Sequence, residues 1–150
     1  MTERIRKRLI KAARGKKTIF YADLNQDCDL VLDFTLAHHR NEIGELLGII
    51  SESEFANDRP LLSALVRHKS GQNEQGDGFF KLCEELGYGE WKNLKADPKF
   101  QFDIINECFA FWKDDANYRS FKDGMKGISL YPIHCLEKES MLSFYYYFGE

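Results

Sequence analysis

The sequence has few prolines, no closely spaced cysteine pair and no long apolar run. Its 150 residues include 3 prolines and 4 cysteines, and none of the cysteines belongs to a CxxC motif. No apolar stretch approaches the roughly 18 residues that a membrane-spanning helix needs. The basic N-terminus is not followed by the apolar segment of a secretory signal. These absences predict a cytoplasmic protein without a membrane segment.

The composition is that of a folded domain. Hydrophobic residues make up 43% of the chain and aromatic residues 14%, which is enough for a packed core and excludes a disordered or low-complexity protein. A chain of this length fits one domain, so we predict a single domain over residues 1–150. The separated cysteines predict buried free thiols, above all at Cys83 and Cys108.

Charge is distributed unevenly. Residues 1–17 hold eight basic residues and one acidic residue, whereas the whole chain has a net charge of −3. The rest of the chain therefore carries −10. A basic helix on an acidic body can contact nucleic acid or pack against the body itself. The residues that we assign to nucleic-acid contact are Arg4, Arg8, Lys11 and Lys16.

Hydrophobic periodicity predicts a helix-rich α+β fold. A first helix ends near Gly15, a second begins at a Thr35 cap, and a short helix ends at Gly87. Asp97 followed by Pro98 predicts the start of another helix. We expect four to five helices around a small antiparallel sheet in which residues 61–66 form a central strand. Residues 25–29 are expected in a turn, 128–133 in a strand, and 141–148 in either a helix or a strand.

The same patterns predict which side chains form the core. These are the apolar residues at the helical or strand spacing of each predicted element. The set comprises Leu9, Phe20, Leu46, Leu47, Ile50, Leu62, Ala64, Val66, Phe79, Leu82, Ile104, Cys108 and Phe111.

Motifs for chemistry are weak. Oxygen-bearing side chains between Asp23 and Asp29 resemble the start of a calcium loop, but the glycine and glutamate that complete it are replaced by Cys28 and Phe34. No phosphate-binding glycine loop is present. We therefore predict no metal and no cofactor. Ligand or partner contacts are assigned to His38, His39, Arg67, His68 and Tyr146, the last because three adjacent tyrosines cannot all face one core.

Two resemblances to known proteins add expectations. Residues 58–66 (DRPLLSALV), 76–80 (GDGFF) and 84–87 (EELG) resemble small uncharacterised bacterial proteins with an RPLLSA…GxGFF…LG signature. That resemblance covers residues 40–112 and implies a bacterial, intracellular protein. Residues 18–24 (TIFYADL) and 43–48 (IGELLG) resemble the winged-helix domain of DNA alkyltransferase-like proteins, which implies a winged-helix-like N-terminal half. The cysteine of that family is absent here, so alkyl transfer is not implied.

The sequence supports three hypotheses about function. The first is a non-catalytic bacterial module that binds nucleic acid through its basic N-terminal helix. The second is a protein-binding regulator or immunity partner of a bacterial defence or toxin system, whose acidic body covers a basic surface. The third is an enzyme with an unfamiliar histidine-containing site. The sequence favours a binding function over catalysis and leaves the oligomeric state open.

Overall fold

Short helices dominate the computed structural model, which describes residues 1–69 and 75–124. In chain order the elements are α1 (Thr2–Arg14), β1 (Ile19–Phe20), α2 (Tyr21–Asp27), α3 (Ala37–Ala56), a 3₁₀ helix (Leu62–Leu65), β2 (Val66–Arg67), α4 (Asp77–Glu85), α5 (Trp91–Lys95), α6 (Pro98–Lys113) and α7 (Asp115–Phe121). The predicted helix-rich α+β class is confirmed, but the described residues contain seven α-helices rather than the four to five expected, because the short helices α2, α5 and α7 give too little periodicity to be detected.

The sheet differs from the prediction. β1 and β2 pair in parallel, with Ile19 opposite Val66 and Phe20 opposite Arg67, so the expectation of an antiparallel sheet is wrong. The chain between the strands contains α2 and α3, and such a helical crossover is what a parallel pair requires.

The predicted central strand over residues 61–66 is also wrong. Leu62–Leu65 forms a 3₁₀ helix, and only Val66–Arg67 is extended. The apolar residues of this segment are 0–1% exposed, so they are buried on every side. A short apolar run without alternation does not distinguish a strand from a buried helical turn, which explains the error.

Several helix boundaries agree with the sequence signals. α1 ends at Arg14 before Gly15, as predicted. The Asp97 carboxylate accepts a hydrogen bond from the Lys99 amide at 3.0 Å, which confirms the predicted cap at the start of α6. Gly87 follows α4 with φ +94°, a conformation that glycine adopts without strain.

Two local predictions are wrong. Thr35 does not cap α3, because its hydroxyl and amide both bond to the Asp33 carboxylate and the helix begins two residues later. Of the turn predicted over residues 25–29, residues 25–27 lie in α2 and only residues 28–29 form a turn. The Asn25 side chain bonds to both backbone groups of Leu32, so it fastens the loop after α2 to that helix.

Buried apolar side chains from α1, α2, α3, α4, α5, α6 and the 3₁₀ helix form one cluster. Ten of the thirteen predicted core residues are buried, whereas Phe20, Leu46 and Phe111 are only partly buried. Leu46 and Phe111 pack against the cluster from its edge. The segments predicted at 128–133 and 141–148, together with Tyr146, lie outside the described residues.

A buried ion cluster joins α1, α3 and α7. Glu54 is fully buried, and its carboxylate accepts hydrogen bonds from Arg6 Nε and, at 2.6 Å, from Arg59 Nε. The Arg6 guanidinium also donates to the carbonyls of Phe121 and Lys122, each at 2.7 Å. Two arginines and two carbonyls therefore compensate the burial of charge, and the same contacts hold the end of α7 against α1.

Candidate functional site

A cleft of about 1000 Å³ opens between α3 and α4. The first half of α3 forms one wall, the start of α4 forms the other, and Tyr21 and His68, which follow β1 and β2, close one side. Polar and charged side chains of the lining include Tyr21, Arg40, Glu45, His68, Asp77 and Glu85, and the apolar lining is formed by Phe34, Ile43, Leu47, Phe79 and Leu82. Its size and mixed lining are typical of ligand sites.

Three glycines of the lining face open space. A methyl group built on Gly44, Gly48 or Gly78 would meet no neighbouring described side chain or element within 4 Å. Gly44 and Gly48 lie four residues apart, so they share one face of α3. Glycine inside a helix costs about 0.5–1 kcal/mol relative to alanine. Among the described residues, the space beside Gly44 and Gly48 is open, so close packing does not require glycine at either position.

The closed side of the cleft is a stacked pair of rings. Tyr21 and His68 lie with ring centroids 4.7 Å apart and an interplanar angle of 29°. Burial raises the pKa of the Tyr21 hydroxyl, and the Gly76 backbone partly offsets that effect. A methyl group at Gly76 would lie 3.0 Å from His68 Nε2 and would crowd the ring. The stack therefore fixes His68 as part of the wall.

The charged lining of the cleft is acidic. Glu45, Asp77 and Glu85 supply three carboxylates, and Arg40 supplies one permanent positive charge. Lys95, which comes from α5, pairs with Asp77 and holds the pKa of that carboxyl below its usual value.

Glu52 lies on α3 one helical turn beyond Gly48 and adds a carboxyl group near the acidic lining of the cleft. Its side chain is buried, and its Oε2 has no hydrogen-bond partner among the described residues. Burial and the negative charge of Glu85 raise the pKa of Glu52 to about 7. A proton or a cation at this carboxyl would remove the repulsion from Glu85.

The predicted contact residues do not form one site. His68 lines the cleft, whereas His38 and His39 lie in the first turn of α3 and contact each other with ring centroids 4.4 Å apart. His39 Nδ1 accepts a hydrogen bond from the Asp33 amide at 2.7 Å, which gives that histidine a role in shaping the loop before α3. Arg67 lies in β2, and the described lining of the cleft does not include it.

The predicted nucleic-acid residues divide into two groups. Arg4 donates to the Cys28 carbonyl and Arg8 pairs with Asp27, both at 2.8 Å, so the chain itself occupies these two side chains. Lys11 and Lys16 are exposed. The edge of α1 formed by Arg4 and Arg8 thus packs against the rest of the chain. This is the arrangement expected if the basic helix packs against the acidic body.

The remaining chemical candidates have structural roles. Cys28, Cys83 and Cys108 are buried free thiols, as expected for Cys83 and Cys108, and burial raises the pKa of each. Raised pKa values make these thiols poor nucleophiles at neutral pH. Residues 23–27, the first part of the calcium-like segment, are helical. Across residues 1–69 and 75–124, no three His, Cys, Asp or Glu side chains are grouped closely enough to hold a metal ion.

Sequence reasoning missed Tyr21, Glu52 and the role of the glycines. The spacing of Gly44 and Gly48 inside an otherwise continuous helix was the available signal, since two helical glycines four residues apart expose a strip of backbone. The pairing of Tyr21 with His68 was not detectable, because it depends on the parallel alignment of β1 and β2.

Comparison with known proteins found no matching family model, no matching curated protein and no matching solved structure. The two sequence resemblances therefore stay predictions. Among the described helices, none has the length and apolar character needed to cross a bilayer.

Proposed function

We propose that this protein is a binding module whose cleft between α3 and α4 accepts an apolar, positively charged segment of a partner protein. The observation that carries the proposal is the open, glycine-lined wall of α3 facing an acidic, partly apolar cavity. Apolar walls favour burial of a partner's apolar side chains. Lys95 pairs with Asp77. Glu45 and Glu85 therefore remain against Arg40, and this excess of one carboxylate favours a partner with lysine or arginine beside them.

This proposal develops the hypothesis of a regulator or immunity partner of a bacterial defence or toxin system. Its support is the acidic body together with a concave surface that a partner segment fits. A winged-helix-like N-terminal half is a further proposal. In it, α3 is the segment that resembles a recognition helix, but α3 presents Glu45 and two glycines to the cleft, which suits a basic peptide better than phosphate groups.

The cleft favours binding over catalysis. His68 packs flat against Tyr21 and its Nε2 lies close to Gly76. A general base must instead be free to reach the proton that it removes. The observed arrangement thus supports a positioning role for this histidine in the wall.

Peptide titration tests the proposal. Three fluorescent amphipathic peptides would share the same apolar residues and carry lysine, glutamine or glutamate at the polar positions. We expect the lysine peptide to bind and the glutamate peptide to bind at least about tenfold more weakly. A preference for the glutamate peptide, or equal binding of all three, would contradict the proposed cleft chemistry.

Two variants at one position localise the binding. Gly48→Phe places a ring in the open space of the cleft and should abolish binding of the lysine peptide. Gly48→Ala adds a single methyl group and should retain binding, so it is the matched control. Thermal denaturation of both variants checks that each remains folded. If folded Gly48→Phe bound the lysine peptide with unchanged affinity, the peptide would bind outside this cleft.

A further inference from the structure

A second concave surface, between α1 and α7, carries charge of the opposite sign. This groove of about 530 Å³ is lined by Lys7, Lys11 and Arg14 from α1 and by Tyr118, Lys122 and Asp123 from α7 and the residues after it, above Ile10. Four cations therefore surround one carboxylate. None of these residues lines the cleft between α3 and α4, so the groove and any ligand it binds are independent of the proposed function.

Helical geometry separates the basic residues of α1 into two edges. At 3.6 residues per turn, Arg14, Lys7, Lys11, Arg4 and Arg8 lie side by side, in that order, over about 120° of the helix surface. The chain occupies the Arg4 and Arg8 edge through the Cys28 carbonyl and Asp27. The opposite edge, formed by Lys7 and Arg14, faces the groove, and Lys11 lies between the edges.

The groove is partly preorganised. Arg14 donates to the Trp112 carbonyl and to Asp115, each at 2.8 Å, and its guanidinium lies 4.1 Å from the centre of the Tyr118 ring. Lys122 Nζ approaches the same ring at 5.7 Å. Tyr118 thus contacts Arg14 of α1 and Lys122, the residue after α7, which reduces the conformational entropy that binding would remove.

Its free positive charge is concentrated on two lysines. Lys7 lies 3.7 Å from both Glu3 and Asp123, and Asp115 pairs with Arg14. Lys11 and Lys122 are exposed, and within the described residues neither forms an ion pair with a carboxylate. An anion would therefore bind most readily to Lys11 and Lys122. At Lys7 and Arg14 it would compete with the carboxylates of Glu3, Asp123 and Asp115.

We propose that this groove binds the sugar-phosphate backbone of a nucleic acid, through Lys7, Lys11, Arg14 and Lys122. From Lys7 to Arg14 the axis of α1 advances about 10 Å, the distance over which one strand of a duplex passes about three phosphates when measured along the duplex axis. A row of cations at this length fits a repeating polyanion better than a single phosphate. Arg4 and Arg8, which the sequence suggested, take no part.

Salt-dependent titration provides the test. Fluorescently labelled single-stranded and duplex oligonucleotides would be titrated with the full chain from low to moderate ionic strength, and the two arms identify the preferred form. Four phosphate contacts predict a log–log slope of about −3. Lys11→Gln/Lys122→Gln should reduce the magnitude of that slope by about 1.5, since each lost contact removes about 0.7–0.9.

A charge-matched double variant supplies the control. Arg8→Gln/Lys16→Gln removes the same two positive charges outside the groove and should leave the slope unchanged. Equal effects of the two double variants would show that net charge, not the groove, governs binding and would overturn the proposal. Absence of binding to either oligonucleotide at low ionic strength would also overturn it, as would binding to anionic lipid vesicles alone.

Discussion

The ion cluster of Arg6, Glu54 and Arg59 leads to a quantitative prediction for Glu54→Gln. The substitution keeps the shape of the side chain but leaves two arginine charges without their buried counter-ion. Each hydrogen bond to a charged partner is worth about 1.5–3 kcal/mol, and Glu54 accepts one from the Nε of each arginine. Loss of one partner of a buried pair costs about 3–5 kcal/mol, so we expect destabilisation in that range.

Urea denaturation followed by tryptophan fluorescence measures this effect. Trp112 is a suitable probe, because it is fully buried and the Arg6 guanidinium lies 5.4 Å from the centre of its ring. A loss of about 3–5 kcal/mol corresponds to a fall in melting temperature of roughly 6–20 °C for a domain of this size. Glu45→Gln, an exposed substitution on the same helix, should change stability by less than about 0.5 kcal/mol.

A triple variant separates charge from packing. Arg6→Met/Glu54→Leu/Arg59→Met removes all three charges together, so its core should be nearly as stable as the original or more stable. The carbonyls of Phe121 and Lys122 nevertheless lose their donor, and hydrogen exchange should become faster in α7 than in α3. A loss below about 1 kcal/mol for Glu54→Gln would refute the reasoning, because the cluster would then not depend on the carboxylate charge.

Four further substitutions test other features. The pKa of Glu52 is about 7, above the 4.5 of an ordinary glutamate, so the free energy of unfolding falls as pH rises between these values. Glu52→Gln should therefore stabilise the protein by about 1–3 kcal/mol near pH 8 and have little effect near pH 4. Chemical denaturation at both pH values measures this difference. Gly48→Ala should raise stability by about 0.5–1 kcal/mol in chemical denaturation, because its methyl group enters open space. Gly76→Ala should lower it by about 1–3 kcal/mol and shift the His68 ring signals in NMR spectra, since the methyl group crowds Nε2. Val31→Gly should raise the melting temperature, because Val31 is 88% exposed with φ +56°, a strained conformation for a β-branched residue.

The parts of the fold that depend on local chemistry were predictable. The Asp97 cap with Pro98, the end of α1 before Gly15 and the end of α4 before Gly87 each rest on interactions within one helical turn. Those interactions are the same whatever surrounds the helix, so the sequence alone identifies them. The apolar faces of α3 and α6 were predictable for the same reason, with errors confined to residues at the edge of the core.

The features that depend on distant residues were not predictable. The parallel alignment of β1 and β2 is set by how α2 and α3 cross between them, and the burial of Arg6 depends on Glu54 and α7. A basic pattern along α1 predicts a charged surface, but it does not reveal that Asp27 neutralises one edge. The cleft is equally non-local, because its walls come from segments some 30–40 residues apart in the sequence.

Arg6 contacts Phe121 and Lys122, which follow it in the sequence by 115 and 116 positions. This long separation affects how the chain folds during synthesis. At about 5–20 residues per second, a ribosome makes the end of α7 roughly 6–25 s after Arg6. During that interval the nascent α1 lacks the carbonyls that its arginine requires, and the apolar side chains that pack against α6 are exposed. We therefore expect nascent chains stalled before α6 to bind chaperones and to be cleaved readily by protease within α1, and chains extended past residue 124 to resist both.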